Sequence, residues 1–399
     1  MKTKFTINEF LFKTFLFFAI SGGIFKCAIG KWIPVYNTYK FVSQGRVGTL
    51  FCDLSLLILL ILIIRCNLKY SKRLPQRIQV INIIVLLCYI IWTIYSLKDN
   101  SVNEVIFGGI STSIILLTLI CPIGYDLKIW HVLENNIIRI NFILATVFFI
   151  LFINYIKNYG LQWPMYASYK GIFNYWITST WISTFIFSDN KKMKKFLYIN
   201  NCFIIVAAFI TQSRAWVLQT FLLLFIMVLL YDKNSKIFKS VVSIIIVFTI
   251  FILVSYIFPN ITGNLFDRGL EDTRSGQFQV FFSQHHVYDL ILGLGLNATY
   301  KYLGNSFYPY FDNQFMFIMF HYGVIPVIAW FSVYFSLFKN NSIIKNEDLK
   351  VVYAGKFVST FVLMAYLGLS TYYQVEIGYS SVLVMILCGN AISRIYTRR

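Results

Sequence analysis

The chain has 399 residues, 58% of them hydrophobic and 13% charged, with a mean hydropathy of +0.68. No soluble domain of this length can bury so much apolar surface in one core, so the composition points to a polytopic membrane protein. The net charge of +19 then carries topological information and contact with anionic lipid, and no nucleic-acid partner is expected.

A helix crosses the bilayer core with about 20 apolar residues. Runs of that kind, bounded by charge, proline or asparagine clusters, fall at 9–29, 48–66, 78–97, 106–124, 139–157, 172–188, 196–212, 215–231, 240–258, 313–338, 351–371 and 380–395. The reading is an all-α membrane protein of about twelve spans in one integral domain, 1–399. Ser213-Arg214 separates the seventh and eighth runs, the alternative being one long bent helix. The first run lacks a small-residue cleavage site and reads as a retained span, not a signal peptide.

With the N-terminus inside, the cytoplasmic segments are 1–8, 67–77 ("NLKYSKRLPQR"), 125–138, 189–195 ("DNKKMKK"), 232–239, 339–350 and the "TRR" tail. With their flanks they hold about two-thirds of the 35 lysines and arginines, as the positive-inside rule requires, so both termini are expected in the cytoplasm. The outer side has short loops at 30–47, 98–105, 158–171 and 372–379 and one long excursion, 259–312, between the ninth and tenth spans. That excursion sets three cations, Arg268, Arg274 and Lys301, against five acids, Asp267, Glu271, Asp272, Asp289 and Asp312. More than fifty residues is far longer than two adjacent helices need, and the content of Phe, Tyr, Leu and Val argues for a folded, functional loop.

The candidate chemistry lies on this outer side. Arg214, in "ITQSRAWVLQ", stands at the outer junction of two runs, either snorkelling to the interface or facing a cavity as an anion ligand. Arg268 and Arg274, six residues apart where positive charge is scarce, suit a phosphate gripped by guanidinium; local pairing with Asp267, Glu271 or Asp272 is the alternative. Phe278, Phe281 and Phe282 follow at helical spacing, which predicts an amphipathic surface helix over 276–292 with Arg274 at its entrance. Gly293 and Gly295 read as a tight turn and not as a dinucleotide fingerprint. Asp312 closes the loop with Asn313 and is expected to cap the next helix, or else to accept a proton from a sugar hydroxyl, with Asn313 beside it as a substrate contact. His285 and His286 are rival bases or substrate contacts. His321, on an apolar helix, reads as a hydrogen-bonded packing residue, and His131 as cytoplasmic.

Tyrosine and tryptophan crowd the outer loops, at Trp32, Tyr36, Tyr39, Trp163, Tyr166, Tyr169, Tyr300, Tyr302, Tyr308 and Tyr310. Most belong to an interfacial belt, and the surplus suits sugar stacking. The seven cysteines lie in or at the ends of apolar stretches without C-x-x-C spacing, so neither a disulfide framework nor zinc is expected. D-x-D, P-loop and H-E-x-x-H motifs are missing. No metal or cofactor is therefore expected, and an enzyme here would draw on a donor already activated in the membrane.

"SRAW" at 213–216, "TRSGQF" at 273–278, "GLGLN" at 293–297 and "DNQFMFIMFHYGVI" at 312–325, in this order and spacing, resemble the bacterial O-antigen polymerases of the Wzy type and the related O-antigen ligases. The ligases tend to carry His-Asn where this chain has Asp312-Asn313, which favours the polymerase. The resemblance implies a GT-C-like helical fold in the bacterial inner membrane. It also implies metal-independent joining of undecaprenyl-diphosphate-linked oligosaccharide units on the periplasmic face, with a chain-length regulator and a flippase as further partners. It carries Arg214, Arg274, Arg268 and Asp312 over as site residues. The competing readings are ligation of finished polymer to lipid A-core, and a non-enzymatic flippase or transporter. Flippases usually keep ionisable residues within the bundle, whereas here Lys356 is the clearest such case and lies near a cytoplasmic end.

Overall fold

The computed structural model describes residues 6–35, 38–43, 45–159, 166–187, 190–210, 214–231, 248–249, 252, 256, 273–302, 304–311, 313–339, 346–366 and 377–396. Six helices among them are long and apolar enough to cross a membrane: Ile7–Ala28, Arg46–Arg73, Gln76–Ser96, Leu127–Asn158, Lys192–Ile210 and Tyr379–Tyr396. The chain is a helical membrane protein. It is not helical throughout, because β1 (Gly30–Val35) pairs antiparallel with β2 (Thr38–Ser43), and β3 (Tyr300–Tyr302) with β4 (Asn305–Tyr308).

The helices in chain order are α1 (Ile7–Ala28), α2 (Arg46–Tyr70), α3 (Gln76–Ser96), α4 (Val102–Phe107), α5 (Leu127–Tyr159), α6 (Tyr166–Ile186), α7 (Lys191–Ile210) and α8 (Arg214–Tyr231). After the loop come α9 (Thr273–Phe282), α10 (Val287–Leu292), α11 (Gln314–Tyr322), α12 (Ile325–Ser336), α13 (Asn346–Tyr366) and α14 (Tyr379–Tyr396). Several expectations need correction. The run at 106–124 divides into α4, started by the Ser101 and Glu104 capping box, and a 3-10 helix over Thr112–Tyr125. At about 2.0 Å per residue its fourteen residues reach about 28 Å, longer than an α-helix of the same count. Residues 125–138 are mostly not a loop, since α5 begins at Leu127 behind Asp126. The run at 313–338 is broken at Gly323 (φ +79°) into α11 and α12. Most of 240–258 lies outside the described residues.

The chain divides into two compact units. In the first (Met1–Phe12, Leu56–Trp130 and Glu271–Arg399) the centre is the 3-10 helix against α14, and all fourteen residues of the former are buried. Glycine permits the contact. A Cβ on Gly389 would lie 1.9 Å from the Cys121 carbonyl oxygen, and one on Gly124 would lie 2.2 Å from that of Ile386. Small residues bring membrane helices to this range, where backbone dispersion replaces the hydrophobic effect that lipid does not supply. Asn390, fully buried beside this crossing, donates Nδ2 to the Gly124 carbonyl at 2.8 Å and accepts from Arg394 Nε at 2.8 Å, and Arg394 also pairs with Asp348.

Both ends of the described chain meet here. Asn8 of α1 reaches Asp126, and Asn390 near the end of α14 reaches Gly124, so the two lie at one end of the first unit. From that end α3 runs about 30 Å to its last turn, where Trp92 packs edge-on to Tyr322 at 6.2 Å.

In the second unit (Lys13–Ser55 and His131–Leu270) α7 and α8 form an antiparallel hairpin, with Ile205 and Phe209 of α7 clustered on Leu224 of α8 and the Phe209 and Phe221 rings 5.9 Å apart. Two helices therefore meet near Ser213-Arg214, not one bent helix. A buried polar network ties α5, α6 and α7: Trp176 Nε1 donates to Asn200 Oδ1 at 2.9 Å, Asn200 Nδ2 to Thr180 Oγ1 at 2.9 Å, and Asn141 Nδ2 to Ser183 Oγ at 3.0 Å. In a medium without water such groups must find one another.

Candidate functional site

The end of the long excursion folds as one assembly at the far end of α3. Phe281 of α9, Tyr300 of β3, Phe311 and Phe320 of α11 form its core, each 3% exposed or less. The Phe281 ring meets Tyr300 at 5.5 Å, Phe311 at 4.9 Å and Phe320 at 5.3 Å, all edge to face, while Tyr300 stacks on Phe311 at 4.9 Å. These are the favoured geometries for aromatic quadrupoles. Buried Gln277 fixes the pairing of the segments, its Nε2 donating to Tyr300 Oη at 2.7 Å and to the Tyr310 carbonyl at 3.1 Å. Gln284 acts like a strand edge toward Lys301, donating to its carbonyl at 3.0 Å and accepting from its N–H at 2.8 Å.

The expected helix over 276–292 is interrupted. α9 ends at Phe282 and α10 begins at Val287, because His286 leaves the helix and its N–H donates to Asp289 Oδ2 at 2.8 Å. The Gly293 and Gly295 turn is present, with φ of +82° and +92°. It docks onto the end of α11: Leu294 N–H donates to the Phe320 carbonyl at 2.8 Å and Gly295 N–H to that of His321 at 2.9 Å. Two carbonyls that a helix end leaves unpaired are thereby satisfied from another segment. Gly293 and Gly323 cross so closely that a Cβ on the first would lie 2.5 Å from the N of the second. His321 is fully buried as a packing residue, with Nδ1 2.8 Å from the Gly295 carbonyl oxygen and Nε2 3.1 Å from that of Pro309.

The helix cap at the loop's end falls on Asn313, not on Asp312: Asn313 Oδ1 accepts from Phe315 N–H at 3.0 Å and Met316 N–H at 3.2 Å. Asp312 and Arg268 lie outside the described residues. Arg214 is the first residue of α8 and Arg274 the second of α9; their side chains lie outside the described residues. What fixes the first turn of α8 is Trp216, fully buried and stacked 4.1 Å from Phe173 of α6. His285 and His286 part ways. His285 stacks on Phe281 at 4.9 Å and places Nδ1 3.5 Å from Asp289 Oδ2, whereas His286 is exposed and stacks on Tyr288 at 5.2 Å.

Asp289 is a residue that sequence reasoning passed over as one acid among five. The H-H-x-x-D spacing at 285–289 was the available signal, since i and i+4 share a helical face. Also overlooked were Trp92 and Tyr95, hidden inside an apolar run. With Ile91, Gly293 and Leu294 they line an open niche of about 260 Å³, and their rings lie 5.5 Å apart. Ile94, Ile91, Val287, Ile291 and Leu292 nearby are all more than half exposed, an apolar rim. Among the described residues no group of three or more His, Cys, Asp or Glu is placed to hold a metal. No model of a known protein family matches the chain, and no curated protein sequence matches it.

Proposed function

We propose that the protein is a membrane glycosyltransferase that polymerises undecaprenyl-diphosphate-linked oligosaccharide units into a surface polysaccharide on the periplasmic face of the bacterial inner membrane. The observation that carries this reading is the folding of the described end of the long excursion into an aromatic assembly whose first helix carries Arg274 at its second position. A helix N-terminus offers unpaired amides to an anion, this helix is anchored by Phe281 and Gln277, and the reading assigns the guanidinium of Arg274, its second residue, to the same anion. Departure of a diphosphate builds negative charge on the leaving oxygens, and preorganised donors of this kind contribute about 10²–10³ in rate.

His285 with Asp289 supplies a base for the attacking hydroxyl of the acceptor, a role shared in this reading with Asp312. Trp92 and Tyr95 offer faces for a sugar, and the apolar rim beside them suits the polyprenyl tail. The cation-rich end of the first unit lies about 30 Å away along α3, which supports assigning that end to the cytoplasm and the aromatic assembly to the periplasm. The resemblance to Wzy-type polymerases in "SRAW", "TRSGQF" and "GLGLN" agrees with this arrangement.

The test is an Arg274→Ala chromosomal variant, scored by the length ladder of surface polysaccharide on a gel. The expected product is capped by a single repeat unit, with chains of more than one unit reduced at least about a hundredfold. A normal ladder refutes the reading, and full-length polymer accumulating on its lipid carrier points to a ligase.

A further inference from the structure

At the cation-rich end of the first unit, away from the aromatic assembly, lies a cavity of about 850 Å³ that the proposed chemistry does not use. Its floor is polar, with Asp126 and Asn8 hydrogen-bonded to one another and to their neighbours. Buried Asp126 accepts from Asn8 Nδ2 at 2.9 Å and from the Lys128 N–H at 3.1 Å, and Asn8 Oδ1 accepts from Arg65 Nε at 2.9 Å. Around this floor stand four exposed cations, Arg65, Lys69, Arg73 and Lys128. None of the four forms an ion pair with a carboxylate among the described residues. Lys69 and Arg73 are gathered by a ring, their charged ends 4.9 Å and 5.6 Å from the centroid of buried Tyr70.

Four cations stand around one carboxylate that is already hydrogen-bonded, an excess of positive charge that an anion with several oxygens complements best. Guanidinium forks and ammonium groups both suit phosphate. The same cavity also has an apolar lip: Ile7 is 62% exposed, Leu68 83% and Leu127 57%. Free phosphate makes no use of such a lip. A lipid covers it with its chains while its phosphate lies among the cations.

We propose that this cavity is a binding site for the phosphate headgroup of an anionic phospholipid, taken from the leaflet opposite to the aromatic assembly. The site is built wholly within the first unit and does not depend on the polymerase reading. Bound lipid would bridge α1, the end of α2 and the start of α5, three segments that otherwise meet through Asn8 and Asp126.

The test uses the full chain purified in neutral detergent, titrated with phosphatidylglycerol or phosphatidylcholine and read by native mass spectrometry. The variants are Lys69→Gln with Arg73→Gln, and a control of equal charge change, Lys192→Gln with Lys195→Gln, on exposed positions of α7. Wild type is expected to retain phosphatidylglycerol in preference to phosphatidylcholine. The cavity variant should bind it about thirty-fold more weakly, each surface cation contributing about fivefold, while the control keeps wild-type affinity. Equal retention of phosphatidylcholine, or a cavity variant that binds as tightly as wild type, overturns the proposal. So does displacement of the lipid by millimolar inorganic phosphate, which assigns the cavity to a soluble phosphate instead.

Discussion

The two ends of α3 organise polar groups in opposite ways. At the Trp92 end, order comes from neutral parts: rings packed edge to face, glutamine side chains bridging segments, and a glycine turn that caps a helix belonging to another segment. At the Gln76 end, charge is abundant and left open, with four cations around a single satisfied carboxylate. The difference teaches where each kind of interaction belongs. Neutral hydrogen bonds and aromatic contacts hold a precise shape without salt-dependent cost. Unpaired surface cations are poor at holding shape and well suited to taking an anion from solution or from lipid.

The crossing of the 3-10 helix with α14, beside the cation-rich end, gives the largest expected effect. Gly389→Val places side-chain carbon where the Cys121 carbonyl lies, so the 3-10 helix and α14 cannot meet. Folded protein is expected to fall below a tenth of wild type by size-exclusion chromatography; wild-type yield would show that the crossing does not hold the first unit together. His321→Phe sharpens the contrast by acting on the aromatic end alone. It fills the volume but removes the imidazole N–H that bonds one of the Gly295 and Pro309 carbonyls, at about 1–3 kcal/mol for a buried group left unpaired, while Gly295 keeps its bond from the Ala298 N–H. Hydrogen exchange should quicken over 293–322 and stay unchanged at Asn8 and Asp126.

The smallest effect belongs to Glu104, at the same end as Trp92 but fully exposed. Hydrogen bonds from the Ser101 N–H and hydroxyl hold its carboxyl below the ordinary glutamate range. Because the folded value is depressed, the stabilisation of α4 is present above the unfolded value and lost as pH falls through the folded one. Amide exchange in α4 should therefore rise on acidification, and Glu104→Gln should flatten that dependence.

Much of the architecture was legible because the bilayer imposes one length on apolar helix. Runs such as 9–29, 48–66 and 78–97 correspond to α1, α2 and α3 within a few residues. The Gly293 and Gly295 turn, the break near Arg214 and the packing role of His321 were also readable, each from a local rule. The 3-10 helix was not, since nothing in "TSIILLTLICPIGY" distinguishes a 2.0 Å rise from a 1.5 Å one; the backbone approach of α14 accompanies it. The interruption at His286 was hidden because Phe278, Phe281 and Phe282 keep helical spacing up to it.

Composition and the placement of lysine and arginine alone determined that this is a membrane protein with cation-rich and cation-poor ends, because both follow from transfer energies that each residue contributes separately. Which apolar residues face lipid and which face the core was decided by tertiary structure. Ile83, Leu87 and Ile94 of α3 are more than half exposed and Ile386 and Leu387 of α14 fully buried, although their side chains are chemically alike. In a bilayer the solvent is as apolar as the interior, so hydrophobicity carries no mark of which side is in. Tertiary structure likewise brought Asp126 and Asn8 beneath Arg65, Lys69 and Arg73, since a contact of that kind depends on where separate segments come to rest.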